Sequence, residues 1–207
     1  MAYTSLDIDE EYNSTPRGEL CMRGPTVFKG YFKLPEQTLE TLDSDGWLHS
    51  GDVAQIMPNF SIKIIDRKKD LIKLAQGEYV APEKIENVYV TSKYVAQAFV
   101  HGDGLQNFVV GIFVPERAVC EEWARSQGIS ETWEELCNNE ALIEEVHRDV
   151  KQIGTSCKLN GIEQVKKIFL YSELLTVESG LLTPTFKLKR YHARAFFKKV
   201  ISWLYSS

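Results

Sequence analysis

Between Asp45 and Lys73 the sequence DGWLHSGDVAQIMPNFSIKIIDRKKDLIK sets two carboxylates, Asp52 and Asp66, beside an arginine and a run of lysines, around two segments that read as strands. Packing alone does not require that order, and it suits the edge of a nucleotide site. Asp52 follows Gly51, and glycine lets the backbone approach a ligand closely. A carboxylate in such a turn accepts two hydrogen bonds from ribose hydroxyls. Arg67 stands directly after the segment SIKIID, and KLKR near the end adds a second basic cluster. Each feature alone is ordinary: Gly-Asp turns are common on surfaces, an arginine after a strand more often makes a surface ion pair, and KLKR reads as a solvated helix start.

The elements that must hold these residues fall into two regimes. Up to about residue 66 the signals are strands and turns: GELCMRG, a short helix from Pro35 through Leu42, a polar turn from Asp43 to Gly46, then SIKIID with Ile62, Ile64 and Asp66 on one face. Beyond it Pro82 opens an amphipathic helix with Ile85, Val88 and Tyr89, and QAFVHG with NFVVGIFV forms an antiparallel hairpin. Helices are expected over Pro115 to Gln127 with Val119 and Trp123 on one face, over Ser130 to Cys137 with Ser130 as N-cap, and over Glu140 to Ile153. QVKKIFLYS is a third strand, and a tail helix from Tyr191 places Ala193, Phe196, Phe197, Val200 and Leu204 on one face.

Composition narrows the class. The 207 residues are 43% hydrophobic and 26% charged, as in an ordinary globular protein long enough to bury a core. A net charge of −5 argues against bulk binding to nucleic acid. No apolar run reaches the roughly 20 residues of a membrane span, and MAYTSLDIDEEY does not read as a signal peptide. The four cysteines, 21, 120, 137 and 157, are scattered with no CxxC pair and no histidine in metal-ligand spacing. They read as reduced thiols of a cytoplasmic protein with no protein-bound metal.

The string DGWLHSGD followed by KIIDRKKDLIK resembles the signature segment of fatty acyl-CoA synthetases, within the adenylate-forming superfamily that also holds firefly luciferase and peptide-synthetase adenylation domains. The likeness extends through GELCMRGPTVFKGYFKLPEQT, QGEYVAPEKIE and QVKKIFLYSELLTVESGLLTPTFKLKR, and with ETWEELCNNEALIEEV it is most similar to the eukaryotic long-chain enzymes. The resemblance implies an α+β chain. Residues 1–66 would be the β-rich end of a large adenylation domain, 67–69 a hinge, and 70–207 a small lid domain with a mainly antiparallel three-stranded sheet flanked by helices.

It also implies roles. Asp52 and Arg67 would hold the ribose of ATP and of the acyl-adenylate, Lys69 would be the pivot, and Gly77 with Glu78 beside it would line the CoA tunnel. Lys187 would reach the α-phosphate and the substrate carboxylate. The substrates implied are a fatty acid, ATP with Mg²⁺, and CoA. The family usually has glycine in the turn where this chain has Phe60, so Asn59 is expected to take the left-handed conformation instead. Neither the family's phosphate loop nor its adenine motif has a match here, and no GxxxxGK[ST] replaces them. Those parts are expected on a missing N-terminal large domain, leaving this chain alone without ligase activity.

Two rival readings remain open from the residues. One is a module docking on an intracellular membrane through Phe196, Phe197 and Trp203 beside Lys198 and Lys199. The other is a non-catalytic regulator that binds a nucleotide or CoA. The terminal Tyr205-Ser206-Ser207 does not read as a peroxisomal signal.

Overall fold

A computed structural model of the chain describes residues 3–12 and 15–206, with side chains from residue 16 onward. The readings made of Met1 and of Ser207 therefore lie outside the described residues. The chain divides into two compact units, Met1–Leu71 and Ile72–Ser207.

In the first unit four strands pair in sequence order and antiparallel: β1 (Tyr3–Tyr12), β2 (Thr15–Arg23), β3 (Leu48–Ile56) and β4 (Ile62–Arg67). Helix α1 (Pro35–Thr41), opened by its proline, lies between β2 and β3. Cys21, Val53 and Ala54 are buried. The expected single face of Ile62, Ile64 and Asp66 does not hold, because the register of β4 slips opposite Val53 and Ala54. Asp66 turns inward, while Ile62 and Ile64 stay exposed on this outer strand.

The turn joining β3 to β4 also departs from expectation. Phe60, not Asn59, takes the left-handed conformation, at φ +62°. Pro58 and Asn59 occupy the centre of a turn closed by Phe60 N–H to Met57 O (2.8 Å) and Met57 N–H to Ser61 O (2.8 Å). That geometry requires positive φ at the fourth residue, and the Asn59 carboxamide is engaged by the N–H and hydroxyl of Ser61.

The second unit opens with a short hairpin of β5 (Ile72–Lys73) and β6 (Tyr79–Val80), followed by α2 (Pro82–Tyr89). Its centre is a three-stranded sheet of β7 (Val95–His101), β8 (Val110–Pro115) and β9 (Lys167–Leu170). The β7–β8 hairpin is antiparallel as expected, whereas β9 joins parallel to β8. A parallel return needs a long crossover, and α3 (Arg117–Ser126), α4 (Trp133–Leu136) and α5 (Glu140–Ser156) supply it.

Period-2 alternation gives this sheet two apolar faces. Phe113, Ile168 and Leu170 face a core with Ile85 and Tyr89 of α2 and Leu142, Val146 and Val150 of α5. Phe99, Val110, Ile112 and Val114 face a second core built from α6 (Arg190–Phe196) and α7 (Lys198–Ser206). In the last pair of helices the buried stripe is Ala193, Phe197, Ile201 and Leu204, so Phe196 falls beside it and is half exposed, and Val200 only flanks it. On α3 the buried positions are Cys120 and Ala124, with Val119 and Trp123 partly buried at their sides. The cap of α4 is Thr132 rather than Ser130: its side chain accepts from Glu135 N–H while Glu135 accepts from Thr132 N–H, a reciprocal box that Ser130 is too far upstream to make.

His101 closes β7 with its ring buried, and its Nε2 has no hydrogen-bond partner among the described residues. Burial first, then the charge of Arg194, pushes its imidazole down to about 4, against a smaller opposing pull from Asp103. The fold therefore holds His101 neutral, and the unfolded chain takes up the proton first as pH falls. Its contribution is present above about pH 6.5 and lost towards pH 4, a difference of roughly 3 kcal/mol. Urea unfolding of the chain at pH 7, 5.5 and 4.5 is expected to show this fall, and His101→Phe should flatten it. An equal slope in both proteins would remove His101 as the cause.

Candidate functional site

In the first unit the pairing of β3 with β4 sets Asp52 opposite Arg67. Arg67 Nε lies 3.6 Å from Asp52 Oδ1, with the two side chains 61% and 34% exposed, so both are open to a ligand. Gly51 beside them has φ +71° and is held from two sides. Its N–H donates to Glu19 Oε1 at 3.0 Å, and its carbonyl accepts from Lys68 N–H at 2.7 Å. Glu19 is buried, and its other oxygen accepts from Lys68 Nζ at 3.1 Å. Burial works against the charged carboxylate of Glu19, yet Lys68, the Gly51 N–H and His49 together outweigh it and hold the group below its ordinary value.

The strand ends at Arg67, whose carbonyl accepts from Asp70 N–H (2.9 Å) and Leu71 N–H (3.1 Å), so Lys68, Lys69 and Asp70 form a turn. Lys69 is exposed at its tip.

In the second unit Gly77 and Glu78 sit in the turn between β5 and β6, both exposed. Gly77 N–H donates to Leu74 O and Leu74 N–H to Glu78 O, at 2.9 and 2.8 Å. Gly77 has φ +90°, and an added Cβ would meet nothing within 4 Å, so within this chain the glycine answers to backbone conformation and not to crowding.

Lys187 ends a turn of the same hydrogen-bond pattern. Thr183 N–H donates to Lys187 O (2.7 Å), Phe186 N–H donates to Thr183 O (2.8 Å), and Phe186 takes φ +59° with its ring exposed. The base of the turn is fixed by the bridge between Leu182 and Leu188 and by the buried Leu181 and Leu182. The Lys187 side chain itself is exposed and makes no ion pair among the described residues.

Sequence reasoning missed the residue that anchors this turn. Arg190, at the start of α6, forms a forked pair with Glu86 of α2: Nη1 to Oε1 at 2.9 Å and Nη2 to Oε2 at 2.6 Å. Glu86 Oε1 also accepts the N–H of Val100. Two signals were available. A cation in the first turn of a helix opposes the helix dipole, and Glu86 shares the buried face of α2 with Pro82, Ile85 and Tyr89. Both imply a buried partner.

Of the three aromatics that suggested membrane docking, Phe197 is in the core, stacked 6.0 Å from Phe99. Phe196 and Trp203 are half exposed. Among the described residues no helix is long and apolar enough to cross a membrane.

No family model matches the chain. Known proteins do. Over 189 residues, 91% of the chain, it is 53% identical to long-chain-fatty-acid–CoA ligase 6 of Homo sapiens, and over its whole length it is 48% identical to the peroxisomal long-chain acyl-CoA synthetase 7 of Arabidopsis thaliana. Among solved structures, the adenylation domain of a carboxylate reductase from Mycobacterium chelonae matches all of it with a TM-score of 0.84 and 30% identity. The adenylation domain of a carboxylic acid reductase from Segniliparus rugosus, solved with AMP and a co-purified carboxylic acid, matches with a TM-score of 0.83 and 26% identity. Each of these two structural likenesses takes in 31% of the other chain.

The fold is thus that of the adenylate-forming superfamily, and within it the chain belongs to the long-chain fatty acyl-CoA synthetases. It spans 27% and 29% of the length of the human and Arabidopsis relatives.

Removing one partner of the buried Arg190–Glu86 pair leaves an uncompensated charge and is expected to cost about 3 kcal/mol of unfolding free energy. Urea denaturation of Arg190→Met and Glu86→Leu should each show that loss, and the double variant should regain part of it, the Val100 N–H remaining without its acceptor. A loss under about 1 kcal/mol in both single variants would mean that solvent already screens the pair.

Proposed function

We propose that this chain is the lid-bearing part of an AMP-forming long-chain fatty acyl-CoA ligase. The observation that carries the reading is the exposed Lys187 on a turn whose base is pinned by the Glu86–Arg190 pair. That arrangement presents one ammonium group on a long stem from a fixed platform. In the first step a fatty acid carboxylate attacks the α-phosphate of Mg-ATP, giving acyl-AMP and releasing pyrophosphate. Two anions meet there, and Lys187 offsets the charge that develops on the phosphoryl and carboxylate oxygens. A lysine fits because it is a compact charge on a flexible stem.

Asp52 would accept the ribose hydroxyls, with Arg67 beside it binding the same sugar. Their loose pairing at 3.6 Å leaves room for a sugar to replace the direct contact. Lys69, exposed in the turn after β4, would be the pivot between the part up to residue 66 and the lid from residue 70. After the pivot the thiol of CoA, losing its proton, displaces AMP from the acyl group and forms the thioester. The turn of Gly77 and Glu78 would then line the path of the pantetheine arm, with the positive φ of Gly77 keeping the turn narrow. Phosphate-loop and adenine contacts would come from a large N-terminal domain.

The test is a chimera in which this chain replaces the corresponding segment of the human ligase it resembles. It is expected to make palmitoyl-CoA. Lys187→Ala should lower palmitate-dependent ATP–pyrophosphate exchange about 10²- to 10³-fold while sparing transfer of preformed palmitoyl-AMP to CoA. Equal loss in both half-reactions, or a folded chimera with neither, would overturn the assignment. The 207-residue chain by itself is expected to show no exchange above background.

A further inference from the structure

Three metal-ligating side chains that have no direct part in the proposed reaction converge in the first unit: Glu19, Cys21 and His49. Glu19 and Cys21 stand two apart on β2 and so point to the same side of the sheet, and Cys21 is the cross-strand register partner of His49 on β3. One ligand atom from each lies within 4.8 Å of the other two. Cys21 Sγ is 3.5 Å from His49 Nδ1, and His49 Nδ1 is 3.5 Å from Glu19 Oε2.

The two separations from His49 are the ones a tetrahedral ion demands, and the third, between Cys21 and Glu19, stays within 4.8 Å. With Zn–S near 2.3 Å and Zn–N and Zn–O near 2.0 to 2.2 Å, the edges of the tetrahedron come to about 3.4 to 3.6 Å. Each of two ligands also has the outer partner such a site needs. The far nitrogen of His49, Nε2, faces Asp43 Oδ2 at 3.3 Å, which fixes the ring with Nδ1 turned towards Cys21 and Glu19. The far oxygen of Glu19, Oε1, accepts Gly51 N–H, leaving Oε2 for a cation. Glu19 and Cys21 are buried, while the His49 side chain is 31% exposed and provides the way in.

We propose that Glu19, Cys21 and His49 form a three-ligand site for a zinc-class divalent ion, with a fourth position left to water. The mixed sulfur, nitrogen and oxygen donors favour a borderline-soft ion over Mg²⁺ or Ca²⁺. Binding converts the Cys21 thiol to thiolate and releases its proton to solvent. It also has a built-in competitor. Lys68 Nζ holds the same Glu19 oxygen at 3.1 Å, and its side chain is 53% exposed, so an arriving ion displaces the ammonium into water. The site thus exchanges one cation for another at a residue directly beside Arg67, and this holds whatever reaction the longer protein performs. Sequence spacing concealed it, since 28 residues separate Cys21 from His49 and only strand pairing brings them together.

The test is titration of the full 207-residue chain with Co²⁺, in a Cys157→Ser background that removes the exposed thiol. Expected are one equivalent of tetrahedral d–d absorption and a thiolate-to-cobalt charge-transfer band, both lost when Zn²⁺ is added. Cys21→Ser should abolish the charge-transfer band, and His49→Gln should weaken binding at least tenfold. Lys68→Met, a change at a largely exposed side chain, should tighten binding several-fold, a sign that a merely structural role for these residues would not produce. A chain folded by circular dichroism that gives no band, a band that survives Cys21→Ser, or unchanged affinity in Lys68→Met would each overturn the proposal.

Discussion

A buried carboxylate that accepts one backbone N–H and one side-chain cation is the constraint on which each unit depends. In the first unit Glu19 takes the N–H of Gly51 and the ammonium of Lys68, and thereby ties β2 to the residue before Asp52 and to the residue after Arg67. In the second unit Glu86 takes the N–H of Val100 and the guanidinium of Arg190, tying α2 to β7 and to the end of the segment that carries Lys187. A buried charge is stable only when its lone pairs are met, so these networks admit few alternative arrangements. Each holds by its root a segment that carries proposed site residues and leaves the tip in water.

The tips share a construction. Residues 43–47, 57–61, 74–78 and 183–187 all close with the same two backbone hydrogen bonds, and the fourth residue of each has positive φ: Gly46, Phe60, Gly77 and Phe186. Glycine accepts that conformation freely. For phenylalanine it costs on the order of 1 kcal/mol, and neither exposed ring recovers the cost by burial. At Phe186 the strained position immediately precedes Lys187. The turn survives because the buried leucines on its near side and the Arg190 pair beyond it fix where it starts and stops.

Much of this was legible in the sequence. The β7–β8 hairpin, the proline-led start of α2 and the amphipathic run of α5 follow from local periodicity, and the structure has all three. The parallel pairing of β9 was not legible, because a strand does not encode the direction of a partner fifty residues away. The Phe60 turn was misread, since its conformation is set by the type of turn that the hairpin needs and not by the residue best suited to positive φ. Asp52, Arg67 and Lys187 stood out only through a resemblance. The residues that position them, Glu19, Glu86 and Arg190, are charged groups on buried faces, visible as exceptions to an apolar pattern.

The same exceptions separate what is rigid from what can move. Arg190 meets Glu86 through a fork with little exposure, whereas the Lys68 ammonium meets Glu19 at one oxygen with its side chain half in water. A fork fixes both position and orientation of its partner; a single ammonium contact fixes neither. The root of the Lys187 turn is therefore the firmer of the two, and the chain after Arg67 the more readily exchanged. A cation lightly held beside a proposed pivot, on an oxygen that another cation can take, gives the first unit a point at which its chemistry can change without disturbing the strands that align Asp52 with Arg67.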